Sequence, residues 1–168
     1  MYQLMKLFWE ISLLRKGPQD VPGARVLFWP LLLAGFFVDL FMAVNFVDIQ
    51  SAISLVLANT LLLFGLVILL LYVFRYQNRI MQTLICLIGT GLIFSFIRMP
   101  LMYIFKFIPN TPGIFGMLEI GVLIWSLFVI AHILRHALSI EFMLAGMLSF
   151  GYFMVSYQLA NYFLPQAG

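Results

Sequence analysis

The run from Met81 to Phe107, MQTLICLIGTGLIFSFIRMPLMYIFKF, is apolar enough to cross a bilayer, yet it carries Arg98 well inside its length, two residues before Pro100. About 20 predominantly apolar residues suffice for a spanning helix. A guanidinium in hydrocarbon costs about 3 kcal/mol or more, so it needs a partner at its own depth. The chain offers only six acids in 168 residues to supply one. Any fold must bring an acid from another segment to Arg98.

The remaining composition fits a membrane protein: 64% of residues are hydrophobic and 9% charged, against about 25% charged in soluble domains. The formal net charge of +3 is read by position, as an orientation signal, and no nucleic-acid partner is expected. Cys86 is the single cysteine. It excludes a disulfide within the chain and any CxxC pattern, and it reads as a small buried hydrophobe. Lys6 and Glu10 interrupt the first apolar run and no small-residue cleavage site follows, so the first true span is expected to serve as an uncleaved insertion signal.

The expected fold is all-α, one polytopic membrane bundle over residues 1–168, with five transmembrane helices preceded by an N-terminal interfacial amphipathic helix. Over residues 1–16, Met1, Leu4, Phe8 and Ile11 fall at helical spacing, with Gln3, Lys6 and Glu10 opposite. Too short and charged to span, this segment is expected to lie in the interface with Trp9 at headgroup level. Gly17-Pro18 ends it and the polar loop 17–24 follows. The spans are expected at about 25–45, 51–74, 81–107, 114–134 and 139–163. Asp48 reads as a cap for the second and Ser139 as a cap for the fifth, with Glu141 in its first turn. The connection 108–113, IPNTPG, reads as a tight turn, with Pro112 suited to the start of the fourth span.

Five crossings place Lys6, Arg15, Lys16, Arg25, Arg75, Arg79 and Arg135 on one side and Lys106 on the other. The positive-inside rule then predicts a cytoplasmic N-terminus and a periplasmic C-terminus in a bacterial inner membrane.

Depth also sorts the polar residues. Asp39 lies about 14 residues along the first span, roughly 20 Å from its inner end, and Arg98 about 25 Å along the third. Glu119, near the start of the inward-running fourth span, and Asn59 in the second belong to the same layer. Gly35 shares a face with Asp39, Gly91 and Ser95 with Arg98, and Gly116 and Ser126 with Glu119. Small residues beside a charge allow close helix approach. The expectation is an intramembrane cluster of Asp39, Arg98 and Glu119 supported by Asn59. It reads either as a structural pin for helix register or as a polar pocket for a substrate, ion or proton. One base against two acids leaves a spare negative charge.

A second, cytoplasmic cluster comprises His132, Arg135, His136 and Glu141. The two histidines stand four apart on one helical face, but no HExxH pattern or nearby cysteine accompanies them and Arg135 opposes a cation. The reading is a basic helix C-terminus answered by an acid at the next helix start. No metal and no cofactor are expected. No GxSxG and no glycine-rich phosphate loop occurs, and the serines lack an orienting His and acid, so no enzyme is expected. The aromatic run Phe142, Phe150, Tyr152, Phe153, Tyr157, Tyr162 and Phe163 reads as packing or an interfacial belt, with a quinone or lipid groove as the alternative. Ala145, Gly146 and Ser149 form a small-residue surface for helix contact, within the chain or with a partner.

With its Gly17-Pro18 turn, Phe28-Trp29, Gly151-Tyr152 and five-span layout, the chain resembles a bacterial member of the Yip1-domain family. The residues before Gly17 are Arg15 and Lys16, not the Asp-Leu-x of the full family motif. The resemblance implies a non-enzymatic role in membrane organisation and helix-mediated partner binding. The expected function is therefore a small integral membrane protein, seated in the lipid bilayer, that binds a membrane-protein partner through its small-residue faces or N-terminal helix. The alternative is a small transporter or a lipid- or quinone-handling subunit using Asp39, Arg98 and Glu119.

Overall fold

The computed structural model describes residues 2–23, 25–107 and 112–163. Six α-helices follow one another: α1 (Tyr2–Ser12), α2 (Arg25–Ala43), α3 (Ile49–Val73), α4 (Ile80–Phe107), α5 (Pro112–Leu138) and α6 (Phe142–Phe163). Short 3₁₀ turns at Pro18–Asp20 and Gln77–Arg79 lead into α2 and α4. No strand occurs among the described residues. Helices α2 to α6 are each long and apolar enough to cross a membrane, the architecture of an integral membrane protein. At 1.5 Å per residue, their 19 to 28 residues reach about 28 to 42 Å, against a hydrocarbon layer of about 30 Å. The expected turn at 108–111 lies outside the described residues, while Pro112 does begin α5.

Consecutive long helices alternate in direction, so Arg25, Arg79 and Arg135 gather at one end of the bundle, here called the basic end. Contacts close the five helices into a ring in the order α2, α3, α6, α5, α4, and α4 also meets α3 across it. α4 is the most enclosed. Thr83, Leu84, Ile85, Cys86, Leu87 and Ile88 are buried in unbroken succession, which a helix achieves only where neighbours cover all its faces. The hydroxyls of Thr83 and Thr90 donate back to the carbonyls of Arg79 and Cys86 at 2.8 and 2.9 Å, so their burial leaves no polar group unmet. Opposite stand Val129, Ile133, Leu134 and Ala137 of α5, joined by Val67 and Leu71 of α3 and Ala145 of α6. The dry core thus occupies the basic half. Further along, α4 exposes Phe96, Ile97 and Arg98, continues through Pro100, and leaves the Phe96 carbonyl without its helical donor.

α1 is part of this core. Phe8 and Ile11 are buried, and the Phe8 ring lies so close to Gly89 that an added Cβ would stand 2.5 Å from it. Gly89 is nine residues beyond Ile80, about 14 Å along α4, so α1 leans on the flank of the bundle. The Trp125 indole donates to the Ser12 carbonyl at 2.9 Å, and His132 Nε2 donates to the Lys16 carbonyl at 3.0 Å. Outside this contact Lys16 and Glu10 pair at 2.7 Å, which lowers the Glu10 pKa and raises that of Lys16, chiefly through their hydrogen bond.

Helix ends follow local chemistry. The Asp48 carboxylate accepts the Ser51 backbone N–H at 3.0 Å and caps α3 as expected, and this bond holds its pKa below the usual carboxylate range. Ser139 does not cap α6. It stands at φ 55° at the end of α5, where the Ile140 N–H turns back to the Arg135 carbonyl at 3.3 Å. The Glu141 carbonyl accepts the first bond of α6, from the Ala145 N–H at 3.1 Å. α5 therefore runs to Leu138, about one turn further than its sequence pattern suggests. Leu14 and Arg75 adopt the same left-handed conformation, at φ 61° and 63°. After each, an N–H returns five residues: Arg15 to Glu10 and Tyr76 to Leu71, at 2.9 and 2.8 Å. This is the Schellman ending that glycine usually serves.

A candidate polar cavity

Beyond the buried stretch of α4 the ring opens around a cavity of about 270 Å³, walled by all five long helices. α4 supplies Thr90, Gly91, Ser95 and Arg98; α2 supplies Gly35 and Asp39; α3 supplies Thr60; α5 supplies Ser126; α6 supplies Tyr152. A second compartment of about 510 Å³ shares Asp39, Thr60, Ser95, Arg98 and Tyr152 and adds Asn59. It reaches Phe46 and Val47 in the α2–α3 connection, so the space leads away from the basic end. Gly91, Ser95 and Arg98 fall at helical spacing, which is why one face of α4 lines it. An added Cβ at Gly91 would meet nothing within 4 Å.

Within this space the charges are distributed and do not form one tight knot. Ser95 Oγ donates to Asp39 Oδ1 at 3.1 Å, linking α4 to α2. Arg98 Nη2 stands 3.7 Å from Glu119 Oε2, an ion pair of α4 with α5 that is too long for a hydrogen bond. Asp39 and Arg98 line both compartments without approaching each other within 4.0 Å. Asn59 lines the second compartment but bonds elsewhere: its Oδ1 accepts the Ser156 hydroxyl at 2.6 Å, tying α3 to α6. The structure thus brings Asp39, Asn59 and Arg98 to one space, with Glu119 attached to the outer side of Arg98.

Thr60, Thr90, Ser126 and Tyr152 complete the polar lining. Sequence reasoning used Ser126 only as a small residue beside Glu119, and it left Tyr152 in the aromatic run. Helical spacing along α6 carries a signal: the rings of Phe150, Phe153 and Tyr157 follow one another, tilted, with centroids 6.5 and 6.2 Å apart, while Tyr152 lines the cavity. The small residues Ala145 and Ser149 are buried within the chain, at 0% and 2% exposure.

At the basic end, the His132 and His136 rings meet edge-on with centroids 4.5 Å apart. His132 is committed to the Lys16 carbonyl. Arg135 and His136 lie in the last turn of α5, where positive charge complements the carbonyl end of the helix. Glu141 stands exposed just before α6. Arg79, which the sequence offered only as an orientation signal, is the residue that ties this end together. Its Nη1 lies 3.2 Å from the carbonyls of His136 and Ala137 and from Ser139 Oγ, and its guanidinium lies over Tyr76, 4.7 Å from the ring centre. No family model, curated protein or solved structure matches this chain.

Proposed function

We propose that the protein is a small, non-catalytic membrane protein that takes up a ligand in the cavity around Asp39 and Arg98, as a transporter or a lipid- or quinone-handling subunit. One observation carries this reading. Asp39 and Arg98 both face an open space walled by five helices and do not pair with each other across it, although Arg98 also stands 3.7 Å from Glu119. Intramembrane charges beside a cavity are characteristic of substrate and ion paths, and pockets of a few hundred Å³ suit small ligands. The basic end is assigned to the cytoplasm of a bacterial inner membrane, because seven of the nine Lys and Arg residues gather there. The cavity then opens toward the external face, where α6 also ends.

The reading expected first from the sequence, a Yip1-like organiser of membrane partners, drew on small-residue faces or the N-terminal helix. Ala145 and Ser149 are already used inside the chain, which favours the ligand-binding reading. A cysteine at Gly91 tests it. Gly91 lines the cavity and has room for a side chain, and the native Cys86 is fully buried. In intact cells Gly91→Cys should react with a membrane-impermeant maleimide while the wild type stays unlabelled. Reaction only after permeabilisation would reverse the orientation. Reaction only after denaturation would overturn the cavity.

A further inference from the structure

We propose that the cavity recognises a zwitterion, an ammonium joined through a few bonds to a carboxylate or phosphate, with the ammonium at Asp39 and the anion at Arg98. The proposal rests on the preceding reading of the cavity as a ligand site. Opposite charges in a space of low dielectric attract strongly and close on each other unless other groups hold them back. Here each has its own restraint. The Ser95 hydroxyl holds Asp39 at 3.1 Å, and Glu119 stands beside Arg98 at 3.7 Å. Ser95 and Arg98 are three residues apart on α4, so the two charged groups face the same space about one helical turn apart.

Both groups retain bonding capacity. A carboxylate offers about four lone-pair positions, and Ser95 occupies one of them. A guanidinium carries five N–H donors, and the Glu119 oxygen at 3.7 Å lies beyond hydrogen-bond length. A ligand bearing only an anion would gain Arg98 but meet Asp39; one bearing only a cation would gain Asp39 but leave the free N–H donors of Arg98 unused. A zwitterion satisfies both, while Tyr152 and the hydroxyl oxygens of Thr60 and Ser126, whose protons go to the Val56 and Leu123 carbonyls, line the rest of the space. The same chemistry is presented by free phosphoethanolamine or an amino acid and by the headgroup of phosphatidylethanolamine.

The test is protection of Gly91→Cys from maleimide in purified protein. Three probes of similar size are compared: phosphoethanolamine, ethyl phosphate and ethanolamine. The zwitterion at saturation should slow labelling at least tenfold, and each singly charged probe should need at least tenfold higher concentration for the same effect. Asp39→Asn, which keeps the Ser95 bond, should abolish the preference of phosphoethanolamine over ethyl phosphate. Alanine extends the result to carboxylates. Nanodiscs of phosphatidylethanolamine, compared with phosphatidylglycerol, assign the source: protection by the lipid alone marks a headgroup, and protection by the free probes marks a solute. Equal protection by all three probes, or protection by neither the probes nor phosphatidylethanolamine, overturns the zwitterion while a labelled Gly91→Cys preserves the cavity. An unreactive cysteine overturns both.

Discussion

Arg79 spends one guanidinium nitrogen on the last carbonyls of α5, groups that have no partner within their own helix. A cation there answers both the orphaned acceptors and the negative end of the helix dipole. Hydrogen bonds to a charged group contribute about 1.5 to 3 kcal/mol. Arg79→Ala should therefore lower stability by about 2 kcal/mol, read as a reduced unfolding temperature in detergent. Arg79→Lys should recover only part of the loss, because an ammonium lacks the planar fork and stacks less well on Tyr76. An unchanged transition in Arg79→Ala would show that water serves these carbonyls equally well. The contact joins residues 57 positions apart, so residue spacing holds no hint of it. The same blindness applies to Ser139. A serine shortly before an acid and an apolar run reads as a helix cap, yet a left-handed φ of 55° turns it into the ending of the previous helix.

The elements themselves were largely legible. Length and hydropathy located the long helices, since nothing but a helix keeps an apolar backbone satisfied in lipid, and most limits fell within a few residues of those observed. The docking of α1 was not legible. Its pattern marks an apolar stripe but not what covers it, and the determinant is the missing side chain of Gly89 on another helix. Because an added Cβ would stand 2.5 Å from the Phe8 ring, Gly89→Ala should loosen α1. Protease sensitivity within residues 1–23 should rise, with about 1 to 3 kcal/mol lost to overpacking. Combining it with Phe8→Ala should cost less than the two single changes added together. Strict additivity would mean that α1 is held by its Trp125 and His132 bonds instead.

At the scale of the whole molecule, packing is divided between two halves. The basic half holds the continuous burial of Thr83 to Ile88 and its counterpart on α5; the other half holds the cavity. Amide hydrogen exchange should report this division, with slow exchange over Thr83–Ile88 and faster exchange over Ser95–Met102 on the same helix. Uniform protection along α4 would contradict it. Depth counting placed Asp39, Asn59 and Arg98 in one layer because helical rise is regular. It could not reveal that two of them face a common void without pairing, since that depends on how far five helices splay. Tyr152 escaped notice for a related reason: in an aromatic-rich helix only the ring order shows which side chain turns inward.

The continuous burial of α4 has one further consequence. It makes the space beside Arg98 a blind alley: whatever enters from the open end can leave by the same mouth while the helices stay where they are. Delivery to the opposite face would require prising apart the buried cluster to which Ile85 and Ile133 belong, and so could not be achieved by side-chain motion alone.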